Sequence, residues 1–246
     1  MDSIFLDTNS LRNHKANHFF GNIKEYARIS QVANIVIPSI VIDEIKRQKE
    51  RFLQSQLSKF RSNYFTYYLD CETGDTLFSH IHEQVESLYE QSQSEFPYSE
   101  EHLNHDGILK QIKYMAIQNH APFELDNDKG FKDSYIYFTV TQYLERSGGN
   151  IFIVSNDNRF REAFSDKKHI TVLSTVDQYY DYRKAYFKEE YFLGRLQDHL
   201  GTDSISADDV KLVDLTDNDE WKIELEIDSE PYTIYADFYS REILEE

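Results

Sequence analysis

The sequence predicts an α/β fold, a central parallel sheet flanked by helices, with a helical insertion and a small C-terminal β appendage. Three observations carry that reading. Short apolar runs of strand length, Ile4-Phe5-Leu6, Ile35-Val36-Ile37, Ile151-Phe152-Ile153-Val154 and Ile170-Thr171-Val172-Leu173, alternate with stretches of helical periodicity. A long central stretch lacks strand signals altogether, and the last part of the chain changes to period-two alternation. The apolar runs also end on, or lead into, acidic residues: Asp7 after the first, Glu44 beyond the second, Asp133 opening an apolar helix, and Asp157 after the third.

In chain order, residues 4–6 read as a short buried strand. Ile23, Tyr26, Ala27 and Val32 stand at near-helical spacing before the strand at 35–37. Pro38-Ser39 punctuates, with Ser39 as an N-cap. Ile40, Val41, Ile45, Phe52, Leu53, Leu57 and Phe60 then follow a helical pattern that puts Glu44 near the start of a long helix. Residues from about 62 to 125, rich in Glu, Gln, Ser, His and Tyr, read as the helical insertion. Leu77, Ile81, Val85, Leu88 and Tyr89 form one stripe. Ile108, Ile112, Met115 and Ala116 form another after a cap at Asn104, with a break at Glu95-Phe96-Pro97 between them. Ile136, Val140, Tyr143 and Leu144 mark a helix ending at Gly148-Gly149. A short helix around Phe160 and Phe164 and a fourth strand at 170–173 follow, and the core is expected to close near Asp177. This gives a first domain at 1–177 and an appendage at 178–246, in which 179–200 is an aromatic-rich helical segment. Residues 221–239 alternate around a turn at Asp228-Ser229-Glu230-Pro231.

Composition narrows the function classes. The 246 residues are 40% hydrophobic and include 17 Phe and 18 Tyr, ample for a packed core. Cys71 is the single cysteine, so no internal disulfide forms and a reducing cytoplasm is the expected compartment. The first apolar run is cut at Asp7, so no signal peptide is expected, and no stretch is long enough to span a bilayer. With 26 Lys plus Arg against 44 Asp plus Glu, the net charge of −18 argues against bulk electrostatic coating of nucleic acid. A polyanion has to bind a local strip, and one stretch qualifies. Lys46, Arg47, Lys49, Arg51, Lys59 and Arg61 crowd one segment with Glu50 as its sole acid; the alternative is a solvated helix face.

A parallel sheet followed by helices delivers the strand-end acids to one edge, where open α/β folds place their ligands. Converging carboxylates repel one another and stay ionised only with a cation between them. An all-oxygen donor set suits Mg²⁺ or Mn²⁺. Zinc spacing is absent; His80, His82, His102 and His105 stand apart from cysteine and read as surface histidines.

Four segments now carry a resemblance: Leu6-Asp7-Thr8-Asn9, Val41-Ile42-Asp43-Glu44-Ile45, Gly130-Phe131-Lys132-Asp133-Ser134 and Val154-Ser155-Asn156-Asp157-Asn158-Arg159-Phe160. In this order they resemble the acidic motifs of PIN-domain ribonucleases over roughly residues 3–176, in a bacterial branch with a long helical insertion. The distance from Glu44 to Asp133 exceeds what a compact PIN domain needs. The resemblance implies an endoribonuclease that hydrolyses phosphodiesters with Mg²⁺ or Mn²⁺ and no covalent nucleophile. Asp7 and Asp133 are then the principal metal ligands, Asp157 a ligand directly or through water, and Glu44 a further ligand or the group that orients the attacking water. Thr8, Asn9 and Ser155 are expected to brace these carboxylates, and Lys132 and Arg159 to engage phosphate alongside Lys46, Arg47, Lys49 and Arg51. Asp43 rivals Glu44, and Asp126 and Asp128 rival Asp133, although the apolar run begins just beyond Asp133.

Two other readings compete. A magnesium-dependent phosphatase of the haloacid-dehalogenase type needs an Asp-x-Asp pair, and here Asn9 holds the second position. A catalytically inactive PIN-like interaction module has no need of four repelling acids. The implied partners are RNA, with single-stranded DNA as the other nucleic acid the acids admit, a basic inhibitor or partner protein that inserts Arg or Lys into the pocket, and a second copy of the chain. Toxin, defence and RNA-processing roles are all compatible with these residues.

Overall fold

Runs as short as Ile4-Phe5-Leu6 satisfy their backbone groups only by joining a common sheet, and β-branched side chains favour that outcome. In the computed structural model, residues 2–13, 17–61, 71–123, 130–202, 205–216, 218 and 220–244 are described. Strands β1 (Ser3–Leu6), β2 (Asn34–Pro38), β3 (Ser99–Glu101), β4 (Ile151–Val154) and β5 (Ile170–Leu173) form one sheet in the order β3-β2-β1-β4-β5. Every pairing is parallel, with Phe5 opposite Val36 and Leu6 opposite Val154. The helices of this unit are α1 (Thr8–Leu11), α2 (Ile23–Ile29), α3 (Ser39–Arg61), α4 (Cys71–Ser92), α5 (Ile108–Ile117), α6 (Phe131–Ser147) and α7 (Asn158–Ala163). Phe5, Val36 and Ile153 are wholly buried in the sheet, each contributing about 1.5–3 kcal/mol of apolar transfer.

From β1 the chain builds β2 and β3 on one side, then returns to build β4 and β5 on the other. The strand order therefore reverses at the β1–β4 boundary, where the connections diverge and leave a crevice at the carboxyl ends. Asp7 follows β1 there, and Ser155-Asn156-Asp157 follows β4. The register sets Asp7 beside Ser155, and the Asp7 N–H donates to the Val154 carbonyl at 3.3 Å.

The insertion departs from the all-helical expectation. Besides α4 and α5 it contributes β3, a parallel edge strand whose Ser99, Glu100 and Glu101 pair with Val36, Ile37 and Pro38. Three residues with poor strand propensity become strand because an open sheet edge lies beside them. Their side chains are used elsewhere: Glu100 accepts the Tyr89 hydroxyl at 2.8 Å, and Glu101 pairs with Arg146 at 2.8 Å. Asn104 does not cap α5, which starts after Gly107; its side-chain Oδ1 accepts the Asp106 N–H instead. The second half of the insertion packs on α6 through Leu103, Ile108, Ile112, Phe123 and Phe138.

Residues 1–175 make one compact unit and 176–246 another. In the second unit the predicted helical segment is broken into α8 (Asp177–Ala185), a 3₁₀ turn at Tyr186–Lys188 and α9 (Glu190–Leu200). The sheet there has three antiparallel strands in order, β6 (Val210–Leu215), β7 (Glu220–Ile227) and β8 (Glu230–Asp237). Asp228 and Ser229 join β7 to β8 with φ of 53° and 68°, the backbone a tight two-residue hairpin requires. Strand β6 had no counterpart in the sequence reading, because only Val210 of its six residues is buried. Tyr179, Phe187, Phe192, Trp221 and Phe238 are fully buried aromatics of this second unit. Among the described residues no helix is long and apolar enough to cross a membrane.

Candidate active site

Three of the four motif acids stand at helix starts, and Glu44 lies one turn into another helix. Asp7 ends β1 and caps α1, its Oδ1 accepting the Thr8 N–H at 2.6 Å while Oδ2 accepts the Ser155 hydroxyl at 3.0 Å. Burial pushes its pKa up, and the Lys132 charge with the hydrogen bonds from Thr8 and Ser155 offsets only part of that rise. Thr8 and Ser155 are themselves 1% and 2% exposed, so their hydroxyls cannot turn to water instead.

Glu44 lies in the second turn of α3, where Val41 and Ile45 face the core and Asp43 is exposed. Rotation about the helix thus turns Glu44, not its neighbour, toward β1. Its Oε2 accepts Thr8 Oγ1 at 2.7 Å and Lys132 Nζ at 2.7 Å, and its Oε1 accepts Gln48 Nε2 at 3.0 Å. Burial raises its pKa, but the hydrogen bonds from Lys132 and Thr8 more than offset it, holding the carboxyl below its usual range.

Asp133 sits in the first turn of α6, where a carboxylate gains from the helix dipole. The start of that helix is fixed by Gly130, at φ +107°, where an added Cβ would lie 2.7 Å from Phe123 Cα and from the Pro122 carbonyl oxygen. Burial drives the Asp133 pKa from 3.8 up to about 6; Lys132 lowers it, while Asp7, Asp157 and Glu44 raise it further. Asp157 caps α7, its Oδ1 accepting the Phe160 N–H at 3.0 Å, and lies close enough to Asp133 to act on its proton affinity. The rival acids Asp126 and Asp128 lie outside the described residues.

Lys132 stands at the centre of this cluster. Its Nζ is 2.7 Å from Glu44, 3.9 Å from Asp133 and 4.0 Å from Asp7. Burial pulls its pKa down, but the Glu44 bond and the charges of Asp7, Glu44 and Asp133 outweigh that and leave it raised, so it stays an ammonium. The donor set around it is anionic oxygen, the chemistry a hard divalent cation takes. Among the described residues no group of three or more His, Cys, Asp or Glu is arranged to hold a metal ion. The acids fit such a cation in chemistry, and their present spacing is that of carboxylates gathered around an ammonium.

The remaining expected residues separate. Asn9 is exposed on α1 and makes no hydrogen bond to the four acids. The strip on α3 is not one surface. Lys46 faces α4, 2.7 Å from Glu86 and 4.1 Å from the Tyr89 ring centroid, while Lys49 is 3% exposed and donates to the His18 carbonyl at 2.7 Å. Arg47 and Arg51 are exposed. Arg159 is occupied by the Phe123 and Asn119 carbonyls and by Glu162, tying the end of the insertion to α7. Sequence reasoning missed Gln48, whose only signal was its position one turn beyond Glu44, and Lys132, expected at phosphate, lies here among the acids.

Acids gathered at the switch point of a parallel sheet define an acidic α/β site. The PIN-domain family model matches residues 4–160, and the chain belongs to the PIN-domain family. No curated protein matches the chain.

Proposed function

We propose that this protein is a metal-dependent endoribonuclease. The observation that carries the reading is the convergence of Asp7, Glu44 and Asp133 within 4.0 Å of one cationic atom, with Asp157 beside them. Such a gathering opposes folding unless a cation compensates it, and binding a phosphodiester beside it demands still more positive charge. A divalent cation, Mg²⁺ or Mn²⁺, when bound there supplies neutralisation of the phosphate and acidification of a water.

Asp7 and Asp133 are the residues that would hold it, with Asp157 contributing directly or through water. Ser155 and Thr8 orient Asp7 and Glu44 by the hydrogen bonds described. Glu44 orients the attacking water, and Gln48 fixes its second oxygen. Lys132 yields the centre of the cluster and turns its ammonium to the substrate phosphate, the role its position beside Asp133 suits.

A second reading has one observation in its favour. With Lys132 left in place the cluster is already partly neutralised, as a catalytically idle PIN fold would require. One experiment separates the two. Purified protein is incubated with RNA and with single-stranded DNA, with and without Mn²⁺, beside an Asp7→Asn control. Manganese-dependent RNA cleavage lost in the control supports the nuclease; no cleavage of either substrate favours the idle fold.

A further inference from the structure

One face of α3 carries opposite charges. Glu44, Gln48, Arg51, Phe52 and Ser55 recur at spacings of three and four, so they form one stripe along the helix. At 1.5 Å of rise per residue, Arg51 lies about 10 Å along the axis from Glu44. Beyond Gln48 this stripe opens into a cavity of about 430 Å³, walled also by Arg12, Asn13 and Lys49. No acid is among its described lining residues, although acids outnumber bases 44 to 26 in the chain.

Lys49 is the most telling wall residue. Its side chain is almost wholly buried, and burial pushes its pKa down. Its ammonium donates to the His18 carbonyl at 2.7 Å, and an anion in the cavity adds a charge to that contact. Arg12 and Arg51 present planar forks that match a phosphate, and Phe52 presents a ring on which any base stacks. Gln48 belongs to both places, since it holds Glu44 and lines the cavity.

We propose that this cavity seats a nucleotide of the single RNA strand flanking the cut, its phosphate among Arg12, Arg51 and Lys49 and its base on Phe52. The assignment rests on the nuclease reading for the identity of the strand. The neutral Gln48 then separates the site that holds the neighbouring nucleotide from the acids that cleave.

The test uses the full chain in EDTA, so that no strand is cut. Anisotropy of a labelled single-stranded RNA is followed across a salt series. Arg12→Gln with Arg51→Gln is expected to weaken binding at least about tenfold and to reduce the slope of log affinity against log salt by about two. Lys59→Gln, which removes one positive charge at an exposed position further along α3, is expected to change affinity less than about twofold, where each arginine variant alone weakens it more. Phe52→Leu is expected to weaken binding with the slope unchanged, and adenosine monophosphate to displace the RNA at concentrations where inorganic phosphate does not.

Absence of binding by the unaltered protein, unchanged binding by the double variant, or equal loss in Lys59→Gln overturns the proposal. Equal displacement by phosphate and nucleotide overturns it too. If RNA is never cut with manganese yet the double variant still loses binding, the nuclease reading falls and the cavity stands. If RNA is cut and the double variant keeps its affinity, the cavity alone falls.

Discussion

The acidic cluster and the basic cavity share helix α3 yet are assembled on opposite plans. The cluster draws Asp7, Glu44, Asp133 and Asp157 from four elements spread over 150 positions, brought together by a parallel sheet and three helix starts. Most of the cavity comes from consecutive turns of one helix, closed by Arg12 and Asn13 from the end of α1 and just beyond it. Like charges crowded at a sheet edge need rigid supports on every side, which Thr8, Ser155 and the α7 cap provide. Arg12 and Arg51 are exposed and keep part of their hydration, and of these three cations Lys49 alone is buried. The cluster is therefore the place where geometry is over-determined, and the cavity a place where one helix face sets both the charges and the ring of Phe52.

That contrast breaks most sharply on cleavage. Asp7→Asn is expected to lower the rate of RNA cleavage by about three orders of magnitude, on the scale of 4 kcal/mol of transition-state stabilisation. RNA affinity in EDTA should stay as it was. Loss of both together, measured by single-turnover cleavage and anisotropy, would make cluster and cavity one unit.

The next largest effect concerns stability. Asp133 has its pKa raised from 3.8 to about 6, so in the metal-free protein its neutral form is the one the fold prefers. The stabilisation from that preference is complete below about pH 4 and lost as pH rises through 6, a change of about 3 kcal/mol for a shift of this size. Asp133→Asn is expected to hold the neutral state at all pH. Denaturant unfolding in EDTA at pH 7.5 should therefore show the variant more stable than the parent, with the difference vanishing near pH 4. A less stable variant at pH 7.5 would mean that the Lys132 contact outweighs burial.

The brace around the acids comes next. Thr8→Val removes the hydroxyl that Glu44 accepts while keeping the shape, and should cost about 10–100-fold in manganese affinity or in rate. Lys132→Met is expected to raise manganese affinity about tenfold, read by electron paramagnetic resonance of free Mn²⁺, because the competing ammonium is gone. Unchanged affinity would leave Lys132 as a bystander to metal binding.

Much of this site was legible in the chain. Short apolar runs, three of them leading into acids, gave four strands, the parallel sheet and the edge at which Asp7 and Asp157 emerge. The end of α6 followed from Gly148, at φ +64°, and Asp133 marked its first turn. Glu44 could be distinguished from Asp43 only once the rotation of α3 against β1 was known. Strand β3 escaped because Ser-Glu-Glu has no strand signal of its own; an adjacent sheet edge supplies it.

The basic residues show where reading a chain stops. Seven apolar positions on α3 announce a helix and its buried face, since hydrophobic burial acts at every turn and leaves a period in the sequence. Charge leaves no such period. Lys46 turns to Glu86, Lys49 is buried against the His18 carbonyl, Arg159 clasps the insertion, and Lys132 folds back among the acids. Each of these long side chains has several rotamers of similar energy, and its choice is made by partners far away in sequence. Composition and pattern were enough to establish the parallel sheet and the acids at its edge. Where each cation ends, and hence the separation of an acidic cluster from a basic cavity along one helix, required the packed molecule.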